Sequence, residues 1–140
     1  MANLNAAVAF SLMQTLHENI TARRARVRAY HELLGCNERL RLIPQRNESA
    51  CLTQVIRLMS ARRGGDLATR VIEALASAGY EVQGSYVPIH LLPGYEQCVW
   101  DRLSGAERVW ADLIELPCEP TVSLNHVKRI AEIVKDSLGD

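Results

Sequence analysis

The chain has 140 residues, 48% of them hydrophobic and 23% charged, which is enough for one domain with a real core. Its 16 Lys and Arg balance 16 Asp and Glu, so charge gives no case for nucleic acid or a membrane surface as a partner. No apolar run approaches the roughly 20 residues that span a bilayer, and the N-terminus lacks the basic-then-apolar order of a signal peptide. Cys36, Cys51, Cys98 and Cys118 are widely spaced, with no C-x-x-C, so neither a zinc site nor a disulfide framework is suggested and a reduced, cytoplasmic protein is the expectation.

Asn3 or Asn5 can cap a long helix that runs to Leu34 and stops at Gly35. Leu4, Val8, Leu12, Leu16 and Ile20, then Val27, Tyr30 and Leu34, form one stripe at helical period. A straight helix of that length measures about 45 Å. That exceeds the width of a domain this size, so part of the stripe faces something beyond its own core. The alternative is a bent or broken helix that closes on that core. Arg23, Arg24, Arg26 and Arg28 lie on the opposite face and read as a solvated surface, since no aromatics interleave with them.

Leu40 to Pro44 is a short apolar approach, and residues 45–50 are polar and turn-like. Cys51 to Met59 alternates as a strand does, with an antiparallel partner expected. Arg62-Arg63-Gly64-Gly65 reads as a plain turn, because it has neither the P-loop pattern nor G-x-G-x-x-G. Asp66 caps a helix whose buried side is Leu67, Val71, Ile72 and Leu75, and Gly79 ends it. Tyr80 to Gln83 is a second strand. Glu107 opens a further helix with Trp110, Leu113 and Ile114 on one face, and Ser123 caps the last one, buried through Val127, Ile130, Ala131, Val134 and Leu138. The order predicts an α+β fold: a long N-terminal helix, then a small, mostly antiparallel sheet with helices packed on one face.

The chemistry-bearing residues lie between Gly79 and Pro120. His90 follows the extended Tyr86-Val87-Pro88-Ile89 and precedes the Pro93-Gly94 turn. A histidine so placed can face a cleft and hydrogen-bond a sugar or phosphate, or it can bond local backbone and serve structure alone. Glu107 sits where the positive end of a helix favours a carboxylate, which argues for structure before catalysis. Cys98 and His90 are separated by the Pro-Gly turn, with no third orienting group, so a Cys–His nucleophile is not expected. His17, His31 and His126 sit on helix surfaces and form no metal set.

Tyr86-Val87-Pro88-Ile89-His90, then Ala106-Glu107, then Leu116-Pro117 and Pro120 before a Ser-capped helix, together resemble the C-terminal small domain of the DegT–StrS group of pyridoxal-phosphate-dependent nucleotide-sugar aminotransferases. Its pattern reads "Y-x-P-L-H, A-E, L-P-x-x-P", with Ile89 here in place of the usual Leu. Met1 to Ala7 resembles the family's "R-M-S-x-L-x-A-A", Arg23-Arg24 its "A-R-R", and Tyr30 with Leu33-Leu34 its "Y-x-x-L-L". The likeness implies a connecting helix over 1–35 and a small domain over 36–140. It also implies Tyr86 and His90 as substrate-facing residues at the mouth of the active site. The family's large domain, with its Schiff-base lysine and phosphate-cradling residues, lies upstream of this pattern and is not among these residues.

No catalytic, cofactor-binding or metal-binding residue is therefore expected here, and pyridoxal phosphate belongs to the complete family enzyme. The only lysines, Lys128 and Lys135, fall on the exposed side of the last helix. The resemblance implies transfer of an amino group from an amino acid such as glutamate to a nucleotide-linked keto sugar, with this chain as the C-terminal domain or split half. The alternative is a non-catalytic module that binds and regulates a full-length homologue. An unrelated small α+β enzyme ranks behind both, since no catalytic constellation stands out. The expected partners are the large cofactor-binding domain or a full-length homologue, and a second copy through the uncovered helical stripe.

Overall fold

Alternation at period two builds the centre of the molecule, in a computed structural model that describes residues 3–46, 48–59, 66–98 and 103–139. In β2 (Thr53–Leu58), Gln54, Ile56 and Leu58 point inward, and Thr53, Val55 and Arg57 point out. β4 (Leu113–Pro117) repeats the pattern with Ile114 and Leu116 fully buried. The two strands pair antiparallel with Ile56 opposite Ile114 and Gln54 opposite Leu116. β1 (Leu40–Leu42) adds to the far side of β2, and β3 (Gln83–Gly84) to the far side of β4, giving a four-stranded antiparallel sheet of order β1-β2-β4-β3.

Three helices cover the inner face of this sheet. α2 (Leu16–Leu34) inserts Val27, Tyr30 and Leu34, and α3 (Asp66–Ser77) inserts Leu67, Ala68, Val71 and Leu75. α5 (Leu124–Leu138) packs against both and buries Val127, Ile130, Ala131, Ile133, Val134 and Leu138. Its start is fixed by Ser123, whose hydroxyl accepts from the His126 backbone N–H at 3.2 Å. α3 ends at Gly79, whose φ of +83° lets the Tyr80 and Gly79 N–H groups turn back onto the Leu75 and Ala76 carbonyls. The α+β class, with its small antiparallel sheet and one helical face, is as the sequence predicts.

Several local readings change. The first helix is interrupted at Thr15 (φ −103°, ψ 5°), between α1 (Asn3–Gln14) and α2. The interruption does not fold α1 back onto the core, for none of its residues is buried. Leu4, Phe10, Leu12 and Met13 are each more than 60% exposed, and the apolar surface runs round the helix rather than along one stripe.

Three of the four arginines of α2 turn onto loop carbonyls, and Arg28 alone is exposed as the sequence predicts. Arg23 donates to the Leu52 carbonyl at 2.9 Å, and Arg24 to that of Ser49 at 3.1 Å. Arg26 donates to those of Val122 and Pro120, both at 2.6 Å. Their guanidinium groups satisfy loop carbonyls that the sheet leaves unpaired.

Leu40–Leu42, taken as an approach, is an edge strand. The strand expected over Tyr80–Gln83 reduces to Gln83–Gly84. Leu113 and Ile114, placed on a helix by their spacing, belong to the central strand β4, because α4 (Ser104–Ala111) ends two residues earlier. The turn at 62–65 lies outside the described residues.

Candidate functional site

Two residues either side of Tyr86 anchor the segment that carries it. Ser85 accepts a hydrogen bond from the Trp110 indole N–H at its carbonyl, at 2.8 Å, and its hydroxyl donates to Glu115 Oε1 at 3.2 Å. Glu115 reaches it because β4 turns this side chain to the sheet's outer face, away from the helices. Two residues after Tyr86, Pro88 opens a single 3₁₀ turn (Ile89–Leu91), closed by the Leu91 N–H on the Pro88 carbonyl at 2.9 Å. That turn presents His90 to α4, where its Nε2 lies 3.1 Å from Glu107 Oε1.

His90 and Glu107 thus form a pair, and each supplies the partner that the sequence leaves open. The histidine side chain is only 13% exposed and the carboxylate 43%, so the ring is sheltered while the acid keeps contact with solvent. Glu107 and Trp110 are three apart on α4 and share a face, so one helical turn holds both anchors of the 85–91 strap. Between them Tyr86 is 85% exposed, its ring held out from the surface. Val87, Ile89, Leu91, Leu92 and Tyr95, which follow it in the chain, are also exposed. Such a concentration of open apolar side chains marks a surface built to be covered.

Chemically, a histidine fixed at Nε2 by a carboxylate has a defined ring orientation, and its Nδ1 has no hydrogen-bond partner among the described residues. The backbone-bonding alternative for His90 is not what the geometry adopts. Cys98 is an exposed free thiol, and no bond among the described residues joins it to His90. Sequence reasoning singled out Tyr86, His90 and Glu107 but not Ser85, Trp110 or Glu115 as the strap's anchors. The Glu107–Trp110 spacing was the available signal, and the other two depend on strand pairing.

Two clefts lie elsewhere. One, of about 430 Å³, opens between α2 and the segment after β1. The other, of about 480 Å³, lies between the β3–β4 edge and the start of α5 and is lined in part by Tyr80, Glu119 and His126. Tyr86 and His90 line neither. Among the described residues no group of His, Cys, Asp and Glu could hold a metal ion, and no helix is long and apolar enough to cross a membrane.

Pyridoxal phosphate, which the resemblance implies, needs a desolvated lysine to hold it covalently. Lys128 and Lys135 both lie on the exposed side of α5, so the residues present do not fit that cofactor.

Comparison with known proteins places these features in context. The profile of the DegT/DnrJ/EryC1/StrS aminotransferase family matches residues 1–135. Among solved structures, the putative sugar aminotransferase Spr1654 from Streptococcus pneumoniae in its PLP form superposes with a TM-score of 0.86 at 20% identity, over 99% of this chain and 36% of its own. PseC from Helicobacter pylori, an aminotransferase involved in pseudoaminic acid biosynthesis, gives 0.84 at 21% identity, over 94% of this chain and 36% of its own. The aminotransferase TlmJ from Streptoalloteichus hindustanus gives 0.82 at 22% identity, over 95% of this chain and 35% of its own. The chain therefore spans about a third of the length of these structures, and at such identities the likeness concerns the fold. No curated protein matches. The family profile covers nearly every residue, the strap and its anchors included, and this chain belongs to the DegT/DnrJ/EryC1/StrS aminotransferase family.

Proposed function

We propose that this chain is the substrate-side portion of a sugar aminotransferase, a connecting helix over 1–35 and a small domain over 36–140, and is not catalytic alone. The complete enzyme would move an amino group from an amino acid such as glutamate to a nucleotide-linked keto sugar, with pyridoxal phosphate held by a separate large domain. The observation that carries this reading is the pinned strap. Tyr86 is presented outward and His90 is oriented by Glu107, on a segment whose apolar side chains Val87, Ile89, Leu91 and Leu92 are exposed. Tyr86 and the free Nδ1 of His90 are the groups offered to the sugar or its phosphates.

The bare surface of α1 supports a further partner, either that large domain or a full-length homologue, and a second copy of this chain when neither is present. Nucleic acid and membrane are not partners in this reading. Four free cysteines, two of them buried in the core, suit a reducing, cytoplasmic setting. The rival reading, a regulatory module that binds a homologue without completing its site, draws on the same bare helix.

Complementation separates the two. Co-expressed with the cofactor-bearing domain of a family member that lacks its own C-terminal third, this chain is expected to restore transamination of a nucleotide-linked keto sugar. His90→Ala in this chain is expected to lower that activity at least tenfold. A complex that forms but stays inactive, while the chain alters the activity of the intact relative, would establish the regulator instead.

A further inference from the structure

Among the described residues, the cleft between α2 and the segment after β1 is lined by three guanidinium groups and no carboxylate. Arg24 and Arg28 come from α2 with His31 one turn further on, and Arg46 faces them from the loop, over a floor of Val27 and Cys51. Among the described residues, no acidic side chain pairs with Arg24, Arg28 or Arg46. Glu32 and Glu48, the acids nearest in sequence, are exposed and line no part of the cleft. Like charges gathered without a counter-charge repel one another, and an anion between them removes that repulsion.

The loop that closes the cleft is built in advance. Gln45 donates to the Thr53 carbonyl at 2.7 Å and accepts from the Ser49 hydroxyl at 2.9 Å, and Arg24 Nε holds the Ser49 carbonyl at 3.1 Å. Cys51 completes the turn with φ at +53°, a left-handed conformation that is uncommon for a residue other than glycine. Its N–H is held by the Ser49 hydroxyl at 3.2 Å. With Gln45, Ser49 and Cys51 held in this way, the wall that carries Arg46 is partly formed before any ligand arrives, which lowers the cost of binding. Arg24 still has both terminal nitrogens available, and Arg28 uses only its Nε, on the Arg24 carbonyl.

We infer that this cleft binds a small anion bearing two or more phosphate charges. A volume of about 430 Å³ admits a diphosphate with a modest substituent. Planar guanidinium forks match phosphate oxygens in pairs, and three of them exceed what a single carboxylate can engage. The site is separate from Tyr86 and His90, and its occupancy does not depend on the aminotransferase reading.

Calorimetric titration of the 140-residue chain with pyrophosphate, inorganic phosphate and citrate tests the assignment. Pyrophosphate is expected to bind saturably at one site, at least tenfold tighter than inorganic phosphate or citrate. Arg28→Gln and Arg46→Gln, both at exposed positions, are each expected to weaken it at least fivefold with unchanged circular dichroism, and Arg129→Gln on α5 is expected to leave it unaltered. Absence of saturable binding, equal binding of citrate, or insensitivity to both cleft substitutions would overturn the inference.

Discussion

Tyr30 shows how much one side chain can join. Its ring is fully buried in α2, and its hydroxyl donates to the Pro117 carbonyl at 3.2 Å, tying the helix to the end of β4. Tyr30→Phe keeps the ring and removes that bond, so a loss of about 1 kcal/mol is expected in urea denaturation. Leu116→Ala, one residue earlier on the strand, opens a cavity at a site with no exposure and is expected to cost about 2–5 kcal/mol.

Burial also sets the alkaline limit. It pushes the Tyr30 hydroxyl well above its ordinary range, and it pushes the Cys118 thiol from 9.0 to about 12, with nearby Glu119 adding to both. Both groups are neutral in the folded state and lose their protons more readily when unfolded. The Cys118 contribution is therefore fully present below pH 9 and is lost as pH rises from there towards 12, while that of Tyr30 begins to go only above 10.0. Urea midpoints are expected to be level from pH 7 to 8.5 and to fall above it, and Cys118→Ala is expected to flatten the fall.

At the scale of elements, legibility followed the strength of local pattern. α5 was readable to its ends because a cap, a full stripe and a glycine stop agree, and α3 from its stripe and glycine stop, although Asp66, read as its cap, lies inside its first turn. β2 was readable from six alternating residues. β4 was not, for Trp110, Leu113 and Ile114 continue helical spacing past the true end of α4 at Ala111. Only pairing with β2 decides for a strand there. β1 and β3, of three and two residues, are too short for any period to register, and they exist because a neighbouring strand offers its edge.

The strap behaved similarly. Tyr86, His90 and Glu107 stood out by position, but the His90–Glu107 contact joins segments seventeen residues apart and needed the fold. Removing the α5 cap tests this level of the account. Ser123→Ala is expected to lower stability by about 1 kcal/mol without altering the strap, read by thermal unfolding beside the near-ultraviolet signal of the tryptophans.

For the molecule as a whole, the informative feature is surface left bare. A helix of twelve residues with none buried, carrying Leu4, Val8, Phe10, Leu12 and Met13 in the open, does not stabilise the domain it leads into. Light scattering is expected to show concentration-dependent association of the chain, and Phe10→Ser with Leu12→Ser is expected to shift it towards monomer with little change in unfolding midpoint. A monomer at every concentration would remove the case that α1 meets a partner.

The central claim is that this chain shapes the substrate side of an aminotransferase whose reactive centre lies in another domain. Titration of the chain with pyridoxal phosphate, followed by visible absorption, tests it most directly. The account predicts no saturable one-to-one band, because Lys128 and Lys135 are both solvent-exposed on α5. A stoichiometric band abolished by Lys128→Ala or Lys135→Ala would contradict it.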